Sequence, residues 1–131
     1  MALTSEERRI IVGLEMEKAQ ATFHEAKMNA QMGLWSVVSN RLYYAIYHTV
    51  IALLVSEGVQ VGTHQGAQNQ FGKYFVTTGK FGLDDARLYT LLLNIRQKAD
   101  YNCSYNTDSE EMQPLIPRVQ EFIDKAKSYL L

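Results

Sequence analysis

The chain predicts an all-α fold, an up-and-down bundle of about five helices, and three observations carry that expectation. No run alternates polar and apolar residues as a half-buried strand would. The two prolines, Pro114 and Pro117, both lie near the end, so nothing in the first 113 residues forbids a helix on proline grounds. Helix starts and stops recur along the chain, with capping residues at the starts and glycines at the ends. A length of 131 residues fits one domain, 1–131, able to bury a core without disulfides or metal.

The first helix begins at Thr4, which forms a capping box with Glu7, while Glu6 and Glu7 place negative charge at the positive end of the helix dipole. Apolar residues at Ile11, Leu14, Ala19, Phe23, Ala26 and Ala30 recur every three to five positions as far as Met32, marking one inward face. Gly33 suits the C′ stop. A second helix runs from about Leu34 to Glu57 and ends at Gly58, followed by a VQVGT loop. A third covers Gln65 to Thr78, weakened by Gly66 and Gly72. Gly79 and Gly82 flank a turn, and Asp84 and Asp85 open a fourth helix through about Tyr101. NCSYNTDSEE has loop composition. Pro114 and Pro117 then suit the first turn of a last helix. Its Leu115, Val119, Phe122, Ile123, Ala126 and Leu130 share one face, suited to the bundle or to a dimer interface.

Composition narrows the function classes. The chain is 47% hydrophobic and 21% charged, with a formal net charge of −1, which argues against unspecific attraction to nucleic acid but allows a local basic site. One cysteine, Cys103, cannot form an internal disulfide, so a reducing, cytosolic compartment is expected. The N-terminus lacks the pattern of a signal peptide, and apolar runs such as TVIALLV fall short of the ~20 residues that span a bilayer. Histidines and cysteine show no metal-ligand spacing, and no glycine-rich phosphate loop occurs, so neither metal nor cofactor is expected.

The stretch NRLYYAIYH, residues 40–48, carries the chemistry. Arg41, Tyr44, His48 and Ala52 share one helical stripe, with Tyr43, Tyr47, Val50, Ile51 and Leu54 on adjacent faces, so this helix is apolar nearly all round and central. Each buried tyrosine hydroxyl needs a partner. The fourth helix offers a matching stripe in Arg96, Asp100 and Tyr101, where Asp100 could pair with Arg41 or with His48 and hold its imidazole in one tautomer. Such groups form either a buried ionic cluster fixing helix register or the lining of a cleft between the second and fourth helices.

Four ordered pieces bring a family into view: RLYYAIYH, THQG, FGKYFVTTG and RQKADY. Together with the KA-rich first helix they resemble the small stand-alone prokaryotic branch of the HEPN domain family, over nearly the whole chain. The resemblance implies a helical bundle that commonly forms homodimers. It also implies one of two activities: metal-independent ribonucleases, often toxins, that use an arginine and a histidine four to six residues apart, or non-catalytic modules. The latter bind nucleotides or RNA, or partner a small nucleotidyltransferase in a toxin–antitoxin-like pair.

Both activities find residues here. Six residues separate Arg41 from His48, so imidazole as base and guanidinium on phosphate oxygens would serve RNA cleavage. In the ribonucleases, however, the motif usually lies on the later helix, where Arg96 is followed by Asp100 and Tyr101 but no histidine. Tyrosine is a poor base at neutral pH, with a pKa near about 10. In the binding reading Arg41 and Arg96 contact phosphates, Tyr44 or Tyr101 stacks on a base, and His48, Asp100 and His64 lie near the cleft. A purely structural bundle is the third alternative. His24 reads as solvated, Trp35 as core or dimer interface, and Cys103 as incidental.

Overall fold

Residues 2–131 are described by a computed structural model, and their regular secondary structure is all helical, with no strand among them. The helices are α1 (Ser5–Gln31), α2 (Trp35–Ser56), α3 (His64–Phe71), α4 (Leu83–Tyr101), α5 (Ser109–Met112) and α6 (Leu115–Leu130), with a π-helical turn at Gly72–Val76. The five expected helices are present, and α5 adds a single turn inside the stretch read as loop. There Asp108 caps α5 by accepting the Glu111 N–H at 3.0 Å.

Thr4 and Glu7 form the expected capping box, with Thr4 N–H donating to Glu7 Oε1 at 2.8 Å and Glu7 N–H to Thr4 Oγ1 at 3.1 Å. α1 stops where expected. Gly33 takes φ +72°, a conformation that favours glycine, and its N–H reaches Ala30 O while Leu34 N–H reaches Asn29 O. This turn folds α2 back along α1. The third helix does not run unbroken to Thr78: α3 widens into the π-helical turn at Gly72, where helix propensity is weakest. Asp85 replaces a side-chain cap at the start of α4, accepting the Gly82 N–H at 2.8 Å.

Half of the 22 residues of α2 are buried, from Val38 to Leu54, and α1, α3, α4, α5 and α6 all pack on it. It is the central rod that its all-round apolarity predicts. An aromatic cluster lies between α3, α4 and α6, where Phe71 meets Phe75, Phe81, Tyr89 and Phe122 at ring-centroid distances of 5.3–5.9 Å. Edge-to-face and stacked pairs of this kind add to the area that they bury. α6 buries Leu115, Val119, Phe122, Ile123 and Ala126 in the bundle, so this face is occupied within the chain. Trp35 packs partly buried against the core. Leu14 departs from expectation: it is 59% exposed, because the inner face of α1 passes through Ala19, Thr22, Phe23 and Ala26, and Leu14 lies off that line.

No helix among the described residues is long and apolar enough to cross a membrane. Phe71→Ala removes the hub of the aromatic cluster and should lower the free energy of unfolding by about 3–5 kcal/mol, read from the urea midpoint at unchanged m-value.

Candidate functional site

Tyr43, fully buried on α2, sets the site. A buried phenol needs a hydrogen-bond partner, and His64, the first residue of α3, supplies Nδ1 at 2.6 Å. Burial raises the Tyr43 pKa far above the ordinary tyrosine value, so its hydroxyl keeps its proton, and with Nδ1 as the one hydrogen-bond partner of this buried O–H, it donates there. His64 is thereby the Nε2–H tautomer. Its ring stacks on Tyr47 at 4.4 Å between centroids, one turn along α2 from Tyr43. Burial, and secondarily the positive charge of Arg96, depress the His64 pKa below its usual value, so near neutral pH it is an uncharged donor.

Arg96 reaches the cluster from α4, its guanidinium carbon 5.3 Å from the Tyr43 ring and 5.5 Å from Tyr44. Arg41 lies over the same Tyr44 ring, also at 5.5 Å. Two guanidiniums thus share one aromatic ring, an attraction worth roughly 0.5–2 kcal/mol each according to desolvation. Arg41 is held further by Asn40 Oδ1, which accepts from Nη2 at 2.6 Å and from Nε at 3.0 Å, and by Glu25 of α1 at 3.2 Å. Both arginines reach solvent, with 31% of the Arg41 side chain and 21% of Arg96 exposed.

His48 sits two turns along from Arg41 and pairs with α1 rather than α4: its Nδ1 is 2.8 Å from Glu15 Oε2. An imidazole that donates Nδ1–H to a carboxylate keeps the Nε2 lone pair free, the arrangement of an oriented base. The two histidines are therefore wired oppositely: Nδ1 of His48 donates to a carboxylate, whereas Nδ1 of His64 accepts from a phenol.

The expected pairing of Asp100 with Arg41 or His48 is overturned. Asp100 lies 3.6 Å from Arg96 on its own helix, because α1 supplies Glu25 and Glu15 to the α2 cations first. Tyr101 is 89% exposed at the end of α4 and makes none of the cluster's aromatic contacts. A position five residues beyond Arg96 turns away from the face that Arg96 uses. Arg41, Tyr44, His48, His64 and Arg96 are gathered, but around a stripe of α2 bordered by α1, α3 and α4 instead of in a simple α2–α4 cleft. Sequence reasoning missed Glu15 and Glu25, and the parts played by Tyr43 and Tyr47. The demand of Tyr43 for a hydroxyl partner was the available signal. Among the described residues no three His, Cys, Asp or Glu side chains gather as metal ligands.

The HEPN domain model matches residues 14–129. A protein of Methanocaldococcus jannaschii named "Putative toxin" is 32% identical over 129 residues, covering 98% of this chain and 96% of its own. A second protein of that organism with the same name is 26% identical over 88% of this chain and 79% of its own. A "UPF0332 protein" of Thermotoga maritima is 26% identical over 90% and 89% respectively.

A proton-NMR titration of the three histidines should place His64 below the ordinary value of 6.5, and Arg96→Gln should move it back toward that value without removing the effect of burial. The sign for stability follows. A depressed folded pKa means that the unfolded chain binds the extra proton first, so this group lowers stability progressively as pH falls below 6.5.

Proposed function

The chain belongs to the HEPN domain family, and from that premise we propose that it is a nucleotide- or RNA-binding module whose recognition centre is the Arg41–Tyr44–Arg96 stack. One observation carries the reading: two partly exposed guanidiniums are positioned over a single tyrosine ring, each with a carboxylate beside it, Glu25 for Arg41 and Asp100 for Arg96. Ring stacking engages the faces of a guanidinium and leaves its edges for oxygen acceptors, here Asn40 and Glu25 on Arg41 and Asp100 on Arg96. A phosphodiester entering here exchanges one anionic partner for another, so the cost of immobilising the arginines has already been met by folding. His64 Nε2–H and His48 flank the stack as further donor and acceptor. Since guanidiniums lie over Tyr44, its role in this reading is to hold the arginines rather than to stack on a base.

The Glu15–His48 pair favours a second reading, metal-independent ribonuclease action with His48 as base and Arg41 on the phosphate. The names of the two archaeal relatives support a toxin role. In that setting the protein would act as a homodimer in the cytoplasm, partnered with a small nucleotidyltransferase, as the family resemblance implies.

Fluorescence anisotropy with a short labelled single-stranded RNA, competed by ATP, tests the binding reading. Wild type should bind with an affinity that falls with salt. Arg96→Ala and Arg41→Ala should each weaken binding about tenfold and reduce the salt slope by about one. Equal affinity in wild type and both variants would refute it. Incubation of the same RNA in EDTA separates the readings: cleavage lost in His48→Gln establishes the ribonuclease, and intact RNA after prolonged incubation removes it.

A further inference from the structure

The seam between α1 and α2 continues beyond the Glu15–His48 pair. Arg8 lies seven residues before Glu15 on α1, and Ile51 and Val55 lie three and seven residues after His48 on α2, so each falls on its helix's continuation of the same stripe. Here the helices no longer fill the space between them. A half-open pocket of about 660 Å³ remains, walled by Leu3, Ile51, Val55, Val59 and Val61, with Arg8 among its lining residues. That volume lies within the roughly 300–1,000 Å³ of small-molecule sites, and a mostly hydrophobic lining with a few polar groups, here Arg8 and Gln60, is their usual composition.

Arg8 lies close to the loop that follows α2. Gly58 takes φ +75°, a conformation that favours glycine, and its Cα faces the Arg8 guanidinium so closely that a β-carbon there would lie 2.8 Å from Nη1. The same turn closes α2: Gly58 N–H bonds Val55 O and Val59 N–H bonds Leu54 O, which brings Val59 into the pocket wall. Among the described residues Arg8 takes part in none of the ion pairs. A guanidinium without a carboxylate, beside aliphatic walls that thin out the water, attracts an anion more strongly than it would on an open surface.

We propose that this pocket is a second ligand site, separate from the Arg41–Tyr44–Arg96 stack, for a small carboxylate with an aliphatic body. The carboxylate is received by the fork of Arg8, and the chain lies against Ile51, Val55 and Val59. A fork that grips a carboxylate through paired N–H donors selects for charge and planarity, and the aliphatic side chains beside it favour an apolar body.

Octanoate, with octanamide as its uncharged counterpart, tests the proposal on the full chain by methyl NMR titration. Octanoate should shift the methyl resonances of Ile51, Leu54, Val55, Val59 and Val61, and octanamide should bind about tenfold more weakly. In Arg8→Gln the two probes should bind equally. Val61→Trp, which fills the pocket, should abolish the shifts. Far-UV circular dichroism checks that both variants fold, and if Val61→Trp does not, the octanoate–octanamide comparison in wild type and Arg8→Gln still decides. The proposal is overturned if octanoate shifts no methyl of the pocket, if the two probes bind wild type equally, or if Arg8→Gln keeps the preference for octanoate. Concentration-dependent shifts of the same methyls without octanoate would also overturn it, by giving the pocket to a second copy of the chain. None of these outcomes depends on RNA binding at the other site.

Discussion

The hydroxyl of Tyr43 cannot reach water, and its hydrogen bond to His64 is the constraint around which the site is organised. An unpartnered buried phenol costs about 1–3 kcal/mol, so the chain after α2 returns with its first helical residue directly over Tyr43. That single contact places His64 and stacks it on Tyr47. It also brings the start of α3 against the face of α2 where Arg96 arrives from α4. The tautomer of one imidazole and the position of one helix start share this cause.

Electrostatics then divides the work between helices. A net charge of −1 leaves no long-range field to draw in a polyanion, so recognition has to come from cations fixed at short range. α1 contributes the acids that fix them, Glu25 beside Arg41 and Glu15 beside His48. These acids hold the cations in place, yet they also compete with any incoming phosphate. Partly exposed pairs of this kind are individually weak, typically about 0–1 kcal/mol, which suits a site that must exchange carboxylate for phosphate. Stacking on Tyr44 keeps the guanidiniums positioned during that exchange.

The antiparallel seam of α1 and α2 thus changes character along its length. Near the Gly33 turn it carries Arg41 with Glu25. In the middle it carries His48 with Glu15. Toward the far end it opens into the aliphatic pocket beside Arg8. The change follows from the α2 residues at each turn, since Ile51 and Val55 occupy positions on the stripe that Arg41, Tyr44 and His48 occupy earlier.

The five longer helices, the Thr4 cap, the Gly33 stop and the central position of α2 were readable from the chain, because these depend on contacts within a turn or on periodicity along one helix, whereas the short α5 with its Asp108 cap and the π-helical turn at Gly72 were not. Thr4 with Glu7, Gly33, and the apolar circumference of α2 each state a local requirement. Arg41, Tyr44, His48, His64 and Arg96 lie together, but the expected set also held Asp100 and Tyr101, and the wiring among them was not legible. Asp100 had the right charge for Arg41 and His48, yet it bonds Arg96, and Glu15 and Glu25 took the places expected for it. Tyr101 fell outside, and Leu14 turned out to solvent. Which acid meets which cation depends on the axial offset and rotation of one helix against another, and those are set by how whole faces interdigitate. No spacing within a single helix encodes them, so only the tertiary structure decided them.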